Sequence, residues 1–436
     1  MMRRCPAGPP PLPSPAPIPA PPGIPPELVG ELLQAAGDDR LALVGGAVRD
    51  WLLHRVHNDP WRGVPDLDLV VEPADGVGAV PAAHRLARAL RAALGAERMP
   101  FYQEHPAYGT VELEVRRAEG PLLLDIASAR RETYPVPGEN PLVSFGQLED
   151  DLARRDFTIN AMALRLEVRG GGDLHDPHGG RGDLEQRQLR FLHPDSVRDD
   201  PTRVLRGARY AARLGFRLAP EAQAQLDRTL ESWPWAWRPG DPPAAAPSAL
   251  GTRLRMELEL LLEREAWPRA LAALQAWGGL RLLDGALQDD GQWRRRLRWA
   301  GRLQLPLLPA LLAGAAEPLA LAERLQVPHR HHQLLAQFLR LRSRLAQVDG
   351  EGLPPDPAQW CALLEAPGTA PEAIALALAC AVGPRRPLLR WWLLWRHLQG
   401  ERSAAELMAA EGIAPGPALG ERLRQLRRDR LAREKP

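Results

Sequence analysis

The sequence predicts a small mixed domain, of α/β or α+β type, followed by a remainder built from helices alone. Three observations carry this reading. Short apolar runs of strand length fall in the first half of the chain, interleaved with helical stretches. Beyond about residue 195 the strand signals vanish, leaving Leu-, Ala-, Arg- and Trp-rich stretches broken by Pro and Gly. The 436 residues are also too many for one ordinary core, so two or more domains are expected.

Residues 1–25 are nearly all Pro, Ala and Gly, a composition with no means of forming a core, and are expected to be disordered or PPII-like. Order begins near Pro26, where Glu27 to Leu33 opens an amphipathic helix. Strands are expected at Leu41–Val44, Leu67–Val71, Thr110–Val115 and Leu122–Ile126, with helical stretches at Ala47–His54 and Pro81–Leu94. In the helical part, the Pro- and Trp-rich segment 234–243 reads as a loop, and no fixed-period repeat is present.

Composition narrows the class. A charged fraction of 25% and a hydrophobic fraction of 45% are those of a globular protein, and no apolar run is long enough to cross a bilayer. The first residues lack the apolar core of a signal peptide, and Cys5, Cys361 and Cys380 are too few and too scattered for a disulfide framework or zinc knuckle. A cytoplasmic protein without membrane association fits. The net charge of +2 does not by itself argue for nucleic acid. Arginine far outnumbers lysine and clusters at 203–217, 294–302 and 422–433, which suits phosphate and base-edge contacts, although GC-rich codon usage gives the same bias.

Four segments contain residues suited to chemistry. In Leu43-Val44-Gly45-Gly46-Ala47-Val48-Arg49-Asp50 a strand enters paired glycines and a helix leaves them, so backbone N–H groups could meet a polyphosphate; a plain tight turn would look the same. Asp66 and Asp68 stand at i and i+2 of a strand, on one face and roughly 7 Å apart at Cα. Two carboxylates so placed repel unless a cation lies between them, which suits one or two Mg²⁺ ions aligning a nucleoside triphosphate; solvated acids at a strand start are the alternative. Asp125, a lone acid inside the apolar run 122–126, is either a third carboxylate of this site or a strand-end acid paired with Arg130 or Arg131.

The third segment is Arg154-Arg155-Asp156-Phe157-Thr158-Ile159-Asn160-Ala161. Two arginines there could clamp phosphate oxygens while Asp156 and Asn160 meet a ribose or hold the arginines, or the segment could be a helix start with ion pairs. The fourth is Asp199-Asp200-Pro201-Thr202-Arg203-Val204-Leu205-Arg206. Asp200 is a good helix cap and Pro201 a good first helical residue. Asp200 and Arg203 are also i, i+3 neighbours, and a carboxylate beside a guanidinium can accept from the exocyclic amine of cytosine or adenine while donating to the adjacent ring acceptor. Uracil and guanine place a carbonyl there and would be refused.

In this order the segments resemble the class II CCA-adding enzyme and bacterial poly(A) polymerase family. Gly45 to Asp50 with Asp66-Leu67-Asp68 looks like its catalytic motif, and Arg154 to Ala161 its ribose- and phosphate-contacting motif. Asp176-Pro-His-Gly-Gly-Arg-Gly-Asp183-Leu184 is similar to the turn that follows, Asp199 to Phe216 to the nucleotide-selecting helix, and Arg253-Leu-Arg-Met-Glu257-Leu258 to the motif after it. The resemblance covers roughly residues 26–265 and beyond them only the helical character. It implies an α+β, polymerase-β-like nucleotidyltransferase head (26–195), a nucleotide-selecting helical neck (196–280), and a tRNA-binding helical body and tail (281–436). It further implies Mg²⁺ at Asp66 and Asp68, with Asp125 as the third catalytic acid. Phosphate and ribose would be held by Gly45, Gly46, Arg49, Arg154, Arg155, Asp156 and Asn160. Base selection would fall to Asp200 and Arg203, with Arg206 and Arg209 on the same helix also in the nucleotide-binding set. The reaction implied is template-independent addition of CMP and AMP, from CTP and ATP, to the tRNA 3′ end.

There are departures: residues 54–65 make a long link before the Asp pair, Asp199 stands where glutamate is typical, Thr252 replaces an acid, and 234–248 is a Pro-rich insertion. The stretch Arg130–Asp150 corresponds to a flexible loop that the family uses when switching from C to A. Its presence, with Arg131-Glu132-Thr133-Tyr134, speaks against a pure CC-adding enzyme that lacks it. An A-adding specialist, a poly(A) polymerase and a catalytically silent RNA-binding protein are the other readings, with a sugar-transferring enzyme bearing an Asp-x-Asp metal site a further one that leaves the Asp200 and Arg203 segment unexplained. His329, His331 and His332 are expected on a helix surface instead of around a metal, and Trp391, Trp392 and Trp395 at a helix interface.

Overall fold

A computed structural model describes residues 18–61, 63–74, 80–167, 171–351, 354 and 356–434. The chain divides into two compact units, Met1–Arg203 with Leu214–Arg228, and Val204–Arg213 with Thr229–Pro436.

The first unit is built on a seven-stranded sheet. In chain order its strands are β1 (Arg40–Val44), β2 (Asp66–Glu72), β3 (Phe101–His105), β4 (Thr110–Val115) and β5 (Leu122–Ser128). A separate antiparallel hairpin follows, β6 (Arg130–Thr133) and β7 (Leu142–Phe145), before β8 (Ala163–Arg165) and β9 (Leu174–His175) return to the sheet. The order across the sheet is β9-β8-β1-β2-β5-β4-β3, and within it only β2 and β5 run parallel. The helices of this unit include α1 (Pro26–Ala36), α2 (Gly46–His57), α3 (Ala82–Arg98), α4 (Leu148–Ala153) and α5 (Gly180–Glu185).

Strand β2 shows how the sheet is made to present acids. Leu67, Leu69 and Val71 share one face by the two-residue period, and all three are buried. Helix α3 packs on β2, β4 and β5, and α1 packs on α3. On the other face Asp66 and Asp68 precede Val70, which joins Ala42, Val44, Leu148, Leu152, Ala161 and Ala163 in a core cluster that includes α4. The acids therefore sit at the open end of a face whose far end is packed. Truncating Leu67 or Leu69 to Ala would cost about 2–5 kcal/mol.

The Pro-rich start departs from the sequence reading where it is described. Ile18–Pro19 pairs with Gly171–Gly172, the Trp51 indole donates to the Pro19 carbonyl (3.1 Å), and Ile24 is buried. Extended proline-rich backbone keeps its carbonyls available, so it can be captured without a core of its own. Residues 1–17 lie outside the described residues. The four expected strands all form, Thr110–Val115 with the bounds read and the other three longer by one or two residues; β3, the β6–β7 hairpin and the short β8 and β9 lacked a clear apolar alternation.

The helices α6 (Thr202–Leu214), α7 (Pro220–Ser232) and α8 (Thr252–Arg264) open the helical half. One small exception to its all-helical reading is a two-residue strand, Arg217–Leu218, parallel to Gln188–Leu189. In the second unit the helix Pro371–Cys380 is central: Ala373 to Ala379 are all buried, as expected of a helix apolar on every side. It packs against His329–Glu351, Trp293–Arg302 and Arg385–Leu393. Segment 234–243 is a loop, as read, but an anchored one: Trp235 and Trp237 are buried, and the Arg324 guanidinium lies 4.6 Å from the Trp237 ring while donating to the Leu282 and Leu283 carbonyls. Trp391 and Trp395 are buried in helix packing. His331 is not a surface residue: it is buried, and burial pushes its pKa down. Among the described residues no helix is long and apolar enough to cross a membrane.

Candidate active site

The site starts where β1 ends. Gly45 has φ +70°, and a Cβ there would lie 2.6 Å from Asp68 Oδ2, so both the backbone conformation and the space require glycine. The turn lets α2 begin at Gly46, whose N–H donates to the Asp68 carboxylate. Arg49, one turn into α2, is buried. Its Nη1 donates to Asn160 Oδ1 (2.8 Å), and Asn160 Nδ2 donates to Asp156 Oδ1 (2.8 Å), which also accepts from the Phe157 N–H. The Asp156–Asn160 pair thus fixes Arg49 over the glycine turn, where Arg49 Nη2 comes within 3.6 Å of a Cβ built on Gly46.

The carboxylates meet across strands. Asp66 and Asp68 share a face of β2, and Asp125 of β5 is the register partner of Asp68. Burial, then Asp66, pushes the Asp68 pKa up to about 6; Arg155 opposes this, Asp125 adds to it, and the Gly46 N–H lowers it. Partial burial and Glu112 push Asp125 up as well, although its side chain still reaches solvent. The alternative pairing of Asp125 with Arg130 or Arg131 is not formed: Arg131 binds Asp150 (2.7 Å) and Arg130 binds Glu132 (3.1 Å).

The two arginines after α4 divide their work. Asp151, fully buried, accepts from Arg154 through Oδ1 (2.7 Å) and from Arg155 through Oδ2 (2.9 Å). Burial alone would raise its pKa, but the two guanidiniums hold it below the usual carboxylate range. Arg155 is the one beside Asp68, its Nη1 3.6 Å from a Cβ built on Gly45. Arg154 turns instead to Glu132 of the hairpin (3.0 Å), which also accepts from Tyr134 Oη (3.1 Å).

Asp200 and Arg203 are held in different ways. Asp200 is buried and caps α6, its Oδ1 accepting from the Thr202 N–H (3.1 Å) and hydroxyl (2.6 Å). Arg203 is buried, donating through Nη2 to the Arg154 carbonyl (3.0 Å) and through Nη1 to His193 Nε2 (3.3 Å). Tyr134 is close enough for Asp200 and Arg203 to act on it electrostatically, and burial, then Glu132, pushes its pKa up. The hairpin also touches the segment through Gly138 N–H, which donates to the Asp199 carbonyl (3.2 Å). Arg206 and Arg209 belong to the second unit, where both bind Glu257 (3.0 and 2.6 Å) and Arg209 also reaches Glu265 (3.4 Å).

Sequence reading missed Asp151, Glu132 and His193 as parts of the site. Asp151 carried a signal, an acid three and four residues ahead of two arginines on a short helix. Glu132 and His193 carried none, since their partners are distant in the chain.

Could a metal be held here? Among the described residues no group of three or more His, Cys, Asp or Glu side chains converges as a ready-made cage. Two carboxylates on one strand face, one with a pKa raised by burial and then by its neighbour, suit an ion that takes its remaining ligands from substrate phosphates and water. The residues fit such an ion.

An acid pair on a strand, a glycine-started helix beside it and an arginine facing both make the head a nucleotidyltransferase-type domain, and residues 41–190 match the model of the "Poly A polymerase head domain". A CC-adding tRNA nucleotidyltransferase of Deinococcus radiodurans is 38% identical over 317 residues, 71% of this chain and 74% of that protein. The chain belongs to the tRNA nucleotidyltransferase family. An A-adding tRNA nucleotidyltransferase of Aquifex aeolicus is 41% identical over 191 residues, 44% of this chain but only 20% of that longer protein. A structure of the Thermotoga maritima CCA-adding enzyme with tRNA superimposes with a TM-score of 0.64 at 23% identity, covering 94% of this chain and 91% of that one, which shows a shared fold. Enzymes of this kind work with divalent metal ions.

Proposed function

We propose that the protein adds C and A residues to the 3′ end of tRNA without a nucleic-acid template, from CTP and ATP, in the cytoplasm. The observation that carries the reading is the meeting of Asp68, the Gly46 N–H and Arg155, with Asp66 and Asp125 on the same sheet face. The bond formed joins the 3′-hydroxyl oxygen of the RNA to the α-phosphorus of the incoming nucleotide, and the bond broken releases pyrophosphate. Asp66 and Asp68 would hold Mg²⁺, which when bound offsets phosphate charge and makes the hydroxyl more acidic. Arg155 and the Gly45-Gly46 turn meet the triphosphate, while Arg49, held by Asn160, meets phosphate or ribose. Asp125 supplies negative charge beside Asp68 as the third acid. Asp200 and Arg203 favour cytosine and adenine by the donor–acceptor logic of their edge. Arg206 and Arg209 support that helix through their glutamates, and the helical unit meets tRNA through phosphates.

A second reading, addition of CC alone, is favoured by the extent of the match to the Deinococcus radiodurans CC-adding protein. Against it stands the β6–β7 hairpin, tied through Glu132 to Arg154. Primer extension separates the readings, using tRNA that ends before CCA, after C and after CC, with single and mixed nucleotides. Addition of CCA followed by a stop supports the first, and a stop after CC the second. Addition of A only to the CC-ended tRNA means an A-adding specialist, and a long A tail a poly(A) polymerase.

A further inference from the structure

Arg203 is held by two acceptors that differ in kind. One is the Arg154 carbonyl, a permanent acceptor; the other is the imidazole of His193, at 3.3 Å from Arg203 Nη1. A guanidinium only donates, so His193 Nε2 must carry its lone pair toward Arg203 and the ring proton must sit on Nδ1. The backbone that carries the ring is held at its N–H and its carbonyl. That N–H donates to Ser196 Oγ (3.2 Å), and the carbonyl, with that of Pro194, accepts from the buried Gln225 amide (3.0 and 2.7 Å). A planar guanidinium with one anchor can pivot about it; with two anchors on different nitrogens its plane is set.

We propose that His193 is a positioning residue for nucleotide choice, its neutral imidazole setting the plane in which Arg203 meets the base edge. This rests on the reading of Asp200 and Arg203 as the base-reading pair. Protonation at Nε2 would turn the acceptor into a donor and place a cation against Arg203. The charged groups facing the ring are Arg203, Asp195 and His178. Burial, then Arg203 and His178, lowers the His193 pKa below the ordinary 6.5, with Asp195 opposing, so the neutral form persists through neutral pH and is lost on acidification.

The test is a measurement of kcat/KM for CTP against UTP, and for ATP against GTP, on tRNA primers between acid and neutral pH. Four proteins are compared: the wild type, His193→Leu, His193→Gln and Arg203→Ala. His193→Leu should lose roughly tenfold in discrimination, the loss of one hydrogen bond to a charged group, with KM for the correct triphosphate little changed. His193→Gln, which keeps an acceptor near the Nε2 position, should recover most of the discrimination and keep it at acid pH, where the wild type loses it. Full discrimination in His193→Leu, or the same acid profile in the wild type and His193→Gln, overturns the proposal. If Arg203→Ala also discriminates normally, it is the base-reading pair that fails, and His193 falls with it. Should His193→Leu not fold, the pH profiles of wild type and His193→Gln decide alone.

Discussion

One lone carboxylate and one group of three lie near Arg155 in the first unit and could hardly differ more. Asp151 is fully buried and fully matched: each oxygen takes a guanidinium. Asp66, Asp68 and Asp125 share one open face of the sheet, with Arg155 and one backbone N–H as the compensation for Asp68. The first is scaffolding, since Asp151 together with Glu132 matches Arg154 and Arg155 charge for charge within the protein. The second has negative charge left over, which on the proposed reading a cation would offset. Folding tolerates the surplus because that end of the sheet face is open to water, whereas the same surplus at Val70 would sit in the packed core.

The comparison breaks most visibly at Asp68. Asp68→Ala should lower nucleotide transfer by on the order of 10³-fold or more while tRNA binding stays nearly intact; a matching loss of tRNA binding in a filter assay would make the acid structural.

Asp151 should behave in the opposite sense. Asp151→Asn removes the buried charge that Arg154 and Arg155 share, leaving Arg154 only Glu132, and should destabilise by about 3–5 kcal/mol in urea unfolding. A change below about 1 kcal/mol would mean that the arginines find solvent easily, and the scaffold reading would go.

The partly compensated Asp68 also makes a stability prediction with a definite sign. Because the folded-state pKa of Asp68 is raised from 3.8 to about 6, the folded protein holds this proton more tightly than the unfolded chain does. Ionised Asp68 therefore weakens the fold. The penalty is absent below pH 3.8, grows between 3.8 and 6 and is complete above that. In metal-free buffer at neutral pH, Asp68→Asn should stabilise by about 1–2 kcal/mol, and the gain should vanish at acid pH. Adding Mg²⁺ should raise the melting temperature of the wild type more than that of Asp68→Asn. Equal shifts would place the ion elsewhere.

The smallest effect belongs to the second unit. Arg206 and Arg209 resemble Arg154 and Arg155 in being committed to protein carboxylates, Glu257 and Glu265. Arg206, partly exposed, should cost less than about 1 kcal/mol on replacement by Ala. A rise in nucleotide KM of tenfold or more at unchanged stability would instead make Arg206 a nucleotide ligand.

Much of this was legible beforehand because it is local. The Gly45-Gly46 turn, the i, i+2 acids of β2 and the i, i+3 spacing of Asp200 and Arg203 are set by chain geometry over a few residues, and periodicity exposes them. The same holds for the apolar runs that became β1, β2, β4 and β5. The hairpin β6–β7 was not legible as strands, since its residues are half-exposed and alternate weakly. The Pro-rich segment at 18–24 read as disordered because its anchors, Trp51 and Gly171–Gly172, come from elsewhere in the chain. His331 read as exposed because a histidine run beside leucines says nothing about which ring turns inward.

By itself, then, the sequence determined where the acids, glycines and arginines stand along the chain, and hence the family and the class of reaction. Only the tertiary structure decided their division of labour. It brings Asp125 level with Asp68, sends Arg155 to the acids and Arg154 to Glu132, and gives Arg203 the Arg154 carbonyl and His193 as its two anchors. The reason is physical. A buried charge must find its partner wherever the fold supplies one, and that partner is chosen by proximity in space, for which spacing along the chain is no guide.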